Sequence, residues 1–511
     1  MAKAVPNSLT EVTQFKALTV RSVGWLGVKR ILTQVIQTGS SLILVRLLFP
    51  SEFGIFAIIS FIVTLSWSFA DLGLSRALVQ RKGEPEVALL RSVWWTQLGL
   101  GLVVAGVLWA LAPLFISYYS GQLDSGSIAW LRWLALSQIL VNMGAVSGNL
   151  LERHLNYGRI LASEILVLLS TQVSTISFAL GGFGVASFIF GNLIGKVVGL
   201  ISVFLLSPWS WGVDWRIDKL KPLLHFGIPF QMASWVGIAN GAVLPVFIGR
   251  FPGPGGFAGS EAVGFVSWAG GVAAITTLAS GVVEPVIFPL MSRLQDNLKL
   301  AQRVFERMLR VVSVLTFGGI ALLIVLAPEL IKIVFIPRWL PALPSLRLAT
   351  FQMGIIVVTG LALSTLLAFG EARFFRNMNL VWAVLQWILT PALVLTLGFW
   401  GFNLAGIAVS GTALYSFWRL RRYFKISTFS IIKVPIVVSL TSGLVILGLR
   451  QFVTIDNFSH LLLFSGFGGL IYLLMIYVLM RGELHKDIKL LIEIVGQMFR
   501  KAGPRIINKT L

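Results

Sequence analysis

Apolar runs recur along this chain from residue 25 to residue 480. Each run has about 20 residues, which is enough for a helix to cross a hydrocarbon core of about 30 Å. Inside lipid only a helix satisfies its own backbone hydrogen bonds without closing into a barrel, and the residue alternation of a membrane barrel is absent from the sequence. The runs therefore predict an all-α polytopic membrane protein.

The apolar runs predict about fourteen membrane-spanning helices. Their approximate positions are 25–48, 54–78, 92–117, 128–150, 159–181, 184–206, 225–249, 262–290, 311–336, 343–369, 378–400, 402–420, 433–450 and 460–480. Composition agrees, because 56% of the 511 residues are hydrophobic and only 12% are charged. The first run lacks the short apolar core and cleavage site of a secretory signal, so we expect no removable signal peptide.

Charge divides the connections between spans into two classes. Most of the 41 Lys and Arg residues lie in alternate connections, whereas intervening loops such as SYYSGQLDSGS hold almost none. This positive-inside pattern predicts a multi-pass protein of the cell (inner) membrane with an even number of spans and both termini in the cytoplasm. It also accounts for the net charge of +21, so we expect no nucleic-acid partner.

Two features indicate the membrane surface. Several Trp residues, Trp339 among them, fall near predicted span ends, as in an interfacial aromatic belt. The tail has an apolar helical face opposite charged residues, which predicts a helix lying on the cytoplasmic surface. The residues of this face are Leu484, Ile488, Leu491, Val495 and Met498.

The sequence offers no catalytic or metal-binding motif. The stretch GNLIGKVV lacks the spacing and the hydroxyl of a phosphate-binding loop, and it lies inside a span. The four His residues are scattered and the chain contains no Cys, so we predict no metal site and no cofactor. No long outer loop carries the acidic and His residues that acid–base catalysis needs. We therefore expect a transporter rather than an enzyme.

Charged residues inside the spans are the candidates for function, because such residues usually face a bundle interior or a water-filled cavity. Lys196 lies about 16 Å from the end of its span near Pro208, close to the bilayer midplane. Glu284 is deep in the eighth predicted span, and Asp71 lies near the cytoplasmic end of the second. Arg46 and Arg250 close the outer ends of the first and seventh.

These charges have a structural interpretation beside the functional one. They could neutralise one another or bond to Gln and Asn within the bundle, and Glu329 and Lys332 are spaced to pair on one helix face. A weak internal repeat also joins the two halves, since VRLLFPSEFGIF and IGRFPGPGGFAGSEAVGF both place Arg, then Pro, then Gly before an apolar helix. A parallel repeat of this kind would have its substrate site between two lobes.

The stretch VRLLFPSEFGIFAIISFIVTLSWSFADLGLSRALVQRK strongly resembles the oligosaccharide flippases of polysaccharide biosynthesis. These flippases belong to one superfamily with multidrug exporters and lipid-linked peptidoglycan precursor flippases. The residues that carry the likeness are Arg46, Leu47, Pro50, Phe53, Gly54, Asp71, Leu72, Gly73, Gln80, Arg81 and Lys82, with further stretches at 150–164, 287–297 and 333–348. The last stretch departs from the pattern, since Ile336 and Pro337 stand where a glycine is usual.

The resemblance implies two six-helix lobes around a central cavity, residues 1–222 and 223–424, followed by two extra helices and a cytoplasmic tail in residues 425–511. It implies alternating access that carries undecaprenyl-diphosphate-linked oligosaccharide from the cytoplasmic to the outer leaflet for lipopolysaccharide or exopolysaccharide biosynthesis. The polyprenyl tail would stay in membrane lipid, and a polysaccharide polymerase and glycosyltransferases are possible partners.

Within this framework we expect Lys196 to line the cavity as a point charge for the diphosphate or for acidic sugars, with Arg46 and Arg250 as the next candidates. The two arginines have a competing role in fixing the outer loops. Glu284 or Asp71 could carry a coupling proton or act as a counter-charge. The alternatives are a peptidoglycan-precursor flippase, a multidrug exporter, which would prefer an acidic cavity, and a membrane-bound polysaccharide polymerase, which would need a catalytic outer loop.

Overall fold

A computed structural model describes the backbone of residues 32–81, 83–119, 121–425 and 427–500. The side chains after residue 482, and several in the segments 217–236 and 279–285, lie outside this description, and that of Glu284 is one of them. All regular elements in the described part are helices. This confirms the predicted fold class, an all-α polytopic membrane protein.

The helices follow one another with short connections. The first group is α1 (32–47), α2 (Pro50–Asp71), α3 (Leu74–Gln80), α4 (Val87–Tyr118), α5 (Gly126–Arg153), α6 (Tyr157–Leu180) and α7 (Val185–Leu206). The second group is α8 (Ile217–Gly241), a π-helical turn (Leu244–Ile248), α9 (Gly259–Ala273), a 3₁₀ turn (Ala274–Thr277), α10 (Leu278–Arg293), α11 (Leu298–Glu329), a π-helical turn (Leu330–Phe335), a 3₁₀ turn (Pro337–Ala342), α12 (Leu343–Ala368), α13 (Ala372–Leu397), α14 (Gly401–Thr412), α15 (Tyr415–Leu420), α16 (Thr428–Leu449) and α17 (Phe458–Arg500).

In the part of the chain that the structure describes, every predicted span contains helix; the number of spans remains a prediction. Within the described residues, ten helical segments are long and apolar enough to cross a membrane. The other four predicted spans coincide with α1, with α8 and its π turn, with α9 and α10, and with α14 and α15. The predicted surface helix of the tail is continuous with the last span, because α17 runs unbroken to Arg500; its side chains lie outside the described part.

The second predicted span is interrupted, which the apolar pattern did not indicate. Helix α2 ends at Asp71, and the next two residues adopt left-handed backbone conformations, Leu72 at φ 46° and Gly73 at φ 75°. Glycine tolerates this conformation, whereas a residue with a Cβ meets a steric cost of about 1–2 kcal/mol. The chain then resumes as the short helix α3.

Helix α2 lies at the centre of the packing. In the first part of the chain, α6 packs along α7 and α4 along α5, while α5 and α2 also contact α7. In the later part, α11 packs against α12, α16 and α17, and α13 against α14. Helix α2 joins the two parts, because it packs against both α9 and α8. The lobe boundaries predicted from the sequence remain a prediction.

Candidate functional site

The first turns of α2 lie in direct backbone contact with α9, and we call this region the α2–α9 interface. A Cβ atom built on Gly54 would lie 1.6 Å from the carbonyl oxygen of Ser260, and one on Gly264 would lie 1.9 Å from that of Pro50. Small residues four apart, as at Ser260 and Gly264, permit such close helix crossings in membranes. Because glycine is the only residue without a Cβ, both glycines are needed for this approach.

Apolar side chains extend the α2–α9 interface along both helices. They form one buried cluster whose members include Ile58, Ile59, Ile62, Phe265, Val266, Trp268 and Ala269. Trp339, which follows the second π turn, joins this cluster and is completely buried. Its ring centroid lies 5.0 Å from that of Trp268 and 5.3 Å from that of Phe53. Trp339 is therefore part of the core, and its assignment to an interfacial aromatic belt was wrong.

The end of α1 is fastened to the segment around Trp339. The indole Nε1 of Trp339 donates to the carbonyl oxygen of Val45 at 3.1 Å. The Arg46 guanidinium donates to the carbonyl oxygen of Val334 through Nε at 3.0 Å and through a terminal nitrogen at 2.7 Å. The carbonyl of Val334 lies at the end of the π turn, where helical backbone leaves acceptors unpaired. The contacts of Arg46 correspond to the second role weighed for it, which was to fix a connection.

The opposite end of α2 touches α8, and we call this region the α2–α8 contact. A Cβ atom on Gly73 would lie 2.2 Å from the carbonyl oxygen of Gly227. One helical turn further along α8, the Gln231 side-chain amide donates to the carbonyl oxygen of Ser68 at 2.8 Å. The Trp235 indole donates to the same oxygen at 3.2 Å. Three positions spaced four apart on α8 therefore contact the end of α2.

Asp71 lies beside this contact in a hydrogen-bonded group of three side chains. Its Oδ1 accepts from the Ser75 hydroxyl at 2.7 Å and from the Gln97 amide at 3.1 Å, and the same amide donates to the Ser75 oxygen at 3.0 Å. Gln97 is buried, and its backbone carbonyl accepts from the side chain of Asn142 at 2.8 Å. The carboxylate is therefore connected to α3, α4 and, through Asn142, to α5.

Lys196 lies near the middle of α7 and is half-buried. Its ammonium donates to the hydroxyl of Ser137 on α5 at 3.0 Å. Among the described residues no carboxylate forms an ion pair with it. Helix α7 packs against α2, α5 and α6, whereas α10, which carries Glu284, packs against α11 and α12. The main helix contacts therefore do not place α7 beside α10. The side chain of Glu284 lies outside the described part.

The remaining predicted site residue, Arg250, follows the first π turn. It is half-buried, and its guanidinium carbon lies 5.3 Å from the centroid of the Phe251 ring. In the described part of the chain the three cations have separate contacts: Lys196 contacts α5, Arg46 contacts the second π turn, and Arg250 contacts the adjacent Phe251. Their assignment to one binding site remains a prediction.

The expected pair of Glu329 with Lys332 is replaced by another one. The Glu329 carboxylate instead pairs with Arg450, the residue that follows α16, and the Arg450 guanidinium also donates to the carbonyl oxygen of Val325 at 2.8 Å. The prediction of a Glu329–Lys332 pair was wrong because it assumed regular α-helical spacing. The chain enters the π turn directly after Glu329, which changes the spacing of side chains on that face. This ion pair ties the first extra C-terminal helix to α11.

Both interfaces of α2 escaped prediction from the sequence, where the intramembrane charges were the guide. A usable signal was present at the α2–α9 interface, where small residues occur in the spacing of close helix crossings. At the α2–α8 contact the only signal was the Gly73 that follows Asp71, because Gly227 lies in an apolar span that contains further glycines.

Comparison with known proteins adds independent information. A family model described as "Polysaccharide biosynthesis protein" matches residues 43–344. The lipopolysaccharide biosynthesis protein WzxC of Escherichia coli is 22% identical over 334 residues, which cover 65% of this chain and 66% of WzxC. The succinoglycan biosynthesis transport protein ExoT of Rhizobium meliloti is 24% identical, and the alignment covers 68% of each chain. The aligned region thus spans about two thirds of these relatives.

Solved structures agree on the fold. The lipid II flippase MurJ in an inward closed conformation matches with a TM-score of 0.70 and 15% identity, over 89% of this chain and 98% of MurJ. An inward-facing multidrug resistance transporter of the MATE family and MOP superfamily matches with a TM-score of 0.63 and 14% identity, over 78% of this chain and 99% of the transporter. At these identities the likeness shows a shared fold.

Proposed function

Because the chain belongs to the family of polysaccharide biosynthesis proteins, we propose that it is a flippase for undecaprenyl-diphosphate-linked oligosaccharide. It carries this cargo from the cytoplasmic to the outer leaflet for polysaccharide biosynthesis, and it acts as a transporter rather than an enzyme. The observation that carries the proposal is the family match over residues 43–344. Relatives named for lipopolysaccharide and succinoglycan biosynthesis support the cargo class.

The cargo requires a protein because of its polar part. Each sugar hydroxyl moved into hydrocarbon without a partner costs several kcal/mol, and a diphosphate costs more. A protein path between the two halves supplies partners for the sugars and the diphosphate, while the polyprenyl tail remains in lipid. Lys196 supplies positive charge near the middle of this path, with Arg250 and Arg46 nearer one end.

The path opens at one end at a time. The α2–α9 interface and the α2–α8 contact lie at opposite ends of the same helix. Helix α9 and most of α8 belong to the second predicted lobe, 223–424. The second lobe separates from the first lobe, 1–222, at one of these two contacts while the other contact stays closed. This movement gives alternating access. The extra helices in 425–511 are attached to the second lobe through α11.

The charge distribution gives the direction. The α2–α8 contact lies at the end of the bundle that carries the basic connections, among them Arg76, Arg81, Arg153 and Arg216. The positive-inside rule assigns this end, and with it both termini, to the cytoplasm of an inner membrane. A polysaccharide polymerase and glycosyltransferases, which make and use the cargo, are the partners we propose on the two sides.

The experiment is a comparison of a strain that lacks the gene with the same strain carrying it on a plasmid. Lipid-linked oligosaccharide should remain inaccessible to an impermeant lectin on spheroplasts of the deletion strain and become accessible on complementation. Normal presentation without the gene and without a second flippase contradicts the proposal. Accumulation of lipid II instead identifies a peptidoglycan-precursor flippase, and altered drug susceptibility alone identifies a multidrug exporter.

A further inference from the structure

The contact between Gly73 and Gly227 is made by backbone atoms alone. A Cβ on Gly227 would lie 2.6 Å from the carbonyl oxygen of Leu72 and 2.8 Å from the carbonyl carbon of Gly73. Gly227 lies inside α8 and its φ is not left-handed, so its conformation does not require glycine. Alanine would favour this helix by about 1 kcal/mol. The proximity of α2 gives a reason for glycine at this position.

The other side of the contact depends on the break after α2. Leu72 and Gly73 are left-handed, and this conformation presents the backbone of Gly73 to α8. The Oδ1 of Asp71 bonds across the break to the hydroxyl of Ser75 on α3 and to the amide of Gln97 on α4. A bond from the last residue of α2 to the first turn of α3 fixes the two helices on either side of the break relative to each other.

From these contacts we propose that the α2–α8 contact is the gate at the basic end of the path and that Asp71 is its positioning residue. The carboxylate holds the left-handed break in the shape that Gly227 fits, and the bonds of Gln231 and Trp235 to Ser68 complete the closure. The role of this gate in cargo transport rests on the proposed function. The closure of the α2–α8 contact by these residues does not depend on that function.

The test uses a natural advantage of the chain, which contains no Cys. Ser68→Cys places a single thiol at the gate, where Ser68 is 6% exposed. Its rate of modification by a water-soluble maleimide, measured on purified full-length protein in nanodiscs, reports opening. Nanodiscs leave both faces accessible, so the assay does not depend on orientation. In a second reporter, Ser260→Cys, the thiol lies at the α2–α9 interface, where Ser260 is 3% exposed.

Gly227→Ala should accelerate modification at the gate by about tenfold, because local opening becomes less costly. Gly237→Ala is the matched control on the same helix, since a Cβ there meets nothing within 4 Å. It should leave the rate unchanged. The Ser260→Cys reporter should stay protected in both variants. Unchanged modification of Ser68→Cys in Gly227→Ala overturns the gate, and acceleration at both reporters overturns it too, because that pattern indicates global unfolding.

Two changes at Asp71 separate positioning from charge. Asp71→Ala removes the acceptor of both bonds and should accelerate modification of Ser68→Cys as Gly227→Ala does. Asp71→Asn keeps Oδ1 as an acceptor and should restore protection to near the level of the unaltered chain. A fast reaction in Asp71→Asn, or a slow one in Asp71→Ala, contradicts a positioning role.

The same variants distinguish this proposal from the proposed function. Modification of Ser68→Cys needs no cargo, so it reports the gate whether or not the chain carries lipid-linked oligosaccharide. If Asp71→Asn keeps the gate closed but abolishes flipping, the carboxylate has a coupling role and the positioning role is insufficient. If the gate responds as expected while no lipid-linked oligosaccharide is flipped by any variant, the proposed cargo is wrong and the gate stands.

Discussion

The two ends of helix α2 are closed by different kinds of contact. At the α2–α9 interface, backbone proximity at Gly54 and Gly264 is accompanied by a continuous apolar cluster that includes the fully buried Trp339. At the α2–α8 contact, backbone proximity at Gly73 and Gly227 is accompanied by two side-chain bonds to one carbonyl oxygen. A smaller apolar cluster lies beside this contact, with Leu74 and Leu78 of α3 and Leu220 and Leu223 of α8. The α2–α9 end therefore depends on apolar packing to a greater extent than the α2–α8 end.

This difference indicates which end opens at lower cost. Separating apolar side chains into a water-filled path costs about 25 cal/mol for each Å² exposed. A hydrogen bond whose partners become hydrated loses only about 0.5–1.5 kcal/mol. We therefore expect the α2–α8 contact to open first from the present conformation. Substitutions that break the two ends separately test this difference.

The largest effect is expected from the loss of Trp339. Trp339→Ala removes a completely buried indole from the α2–α9 interface and should lower the free energy of unfolding by about 3–5 kcal/mol. The corresponding change at the other end, Trp235→Ala, should cost clearly less, because Trp235 is only half-buried. Circular dichroism melting curves in detergent measure both. Equal losses for the two variants contradict the difference between the ends.

The next effect concerns the close crossing of α2 and α9. Gly264→Ala forces a Cβ against the carbonyl oxygen of Pro50 and should destabilise the protein by about 1–3 kcal/mol. Gly270→Ala lies on the same helix with nothing within 4 Å of the added Cβ, so it should be neutral or slightly stabilising. The same melting curves apply. A neutral Gly264→Ala means that the two helices do not remain in this contact.

A smaller effect on stability, but a strong one on transport, is expected at Lys196. An ammonium near the midplane costs about 2.5–3.5 kcal/mol on insertion, so Lys196→Ala should insert normally and should lose at most the bond to Ser137. Flipping should fall, Lys196→Arg should restore part of it, and Ser68→Cys should stay protected because Lys196 lies outside both interfaces.

The competing role for Lys196 gives a different pattern. If the ammonium neutralises Glu284, Lys196→Ala lowers stability, because an unpaired carboxylate is left in a dry place. Stability and flipping then both recover in the double variant with Glu284→Gln. Full flipping by a stable Lys196→Ala contradicts the cargo role, and recovery confined to the double variant identifies a structural counter-ion.

The smallest effect lies away from both interfaces and serves as a reference. The Arg419 guanidinium, 2.9 Å from the Glu371 carboxylate, is the main cause that holds the pKa of that carboxyl below its ordinary value. The stabilisation by this pair is therefore present above pH 4.5, the ordinary value, and is lost as the pH falls through the lowered pKa.

Melting curves at several pH values test this pair. Arg419→Ala should be slightly less stable than the unaltered chain at neutral pH, and the difference should disappear in acid. Ser68→Cys should stay protected throughout, since the pair contacts neither end of α2. A difference that grows toward acid contradicts the expected sign of the pH dependence, and increased modification of Ser68→Cys would connect this pair to the gate.

The sequence predicted the helices far better than their contacts. Apolar runs determine where a helix can cross lipid, so the described part of every predicted span contains helix. The break at Leu72 was missed because a left-handed leucine leaves no compositional trace in an apolar run. The π turn after Glu329 was missed for the same reason, and with it the pairing of Glu329 with Arg450.

The charges inside the spans did not point to the contacts that close the two ends of α2, and their assignment to a binding site stays a prediction. Charges inside spans draw attention because they are costly, and Arg46 was selected on that basis. Its Nε and one terminal nitrogen donate to a backbone carbonyl. The contacts that close both ends of α2 are made by Gly54, Gly73, Gly227 and Gly264. A glycine permits close helix contact only where another backbone lies against it in the fold. A single sequence does not show which backbone lies there.

The most direct measurement locks the gate during transport. Ser68→Cys combined with Gln231→Cys places two thiols across the α2–α8 contact in a chain that has no other Cys. The variant is reconstituted in proteoliposomes with lipid-linked oligosaccharide, and the two thiols are joined with a short reducible crosslinker. Flipping is measured before crosslinking, after crosslinking and after reduction. Our account predicts that flipping stops on crosslinking and returns on reduction. In each single-thiol variant the crosslinker and the reductant should leave that variant's own flipping rate unchanged. Flipping that continues at the same rate in the fully crosslinked protein would contradict it.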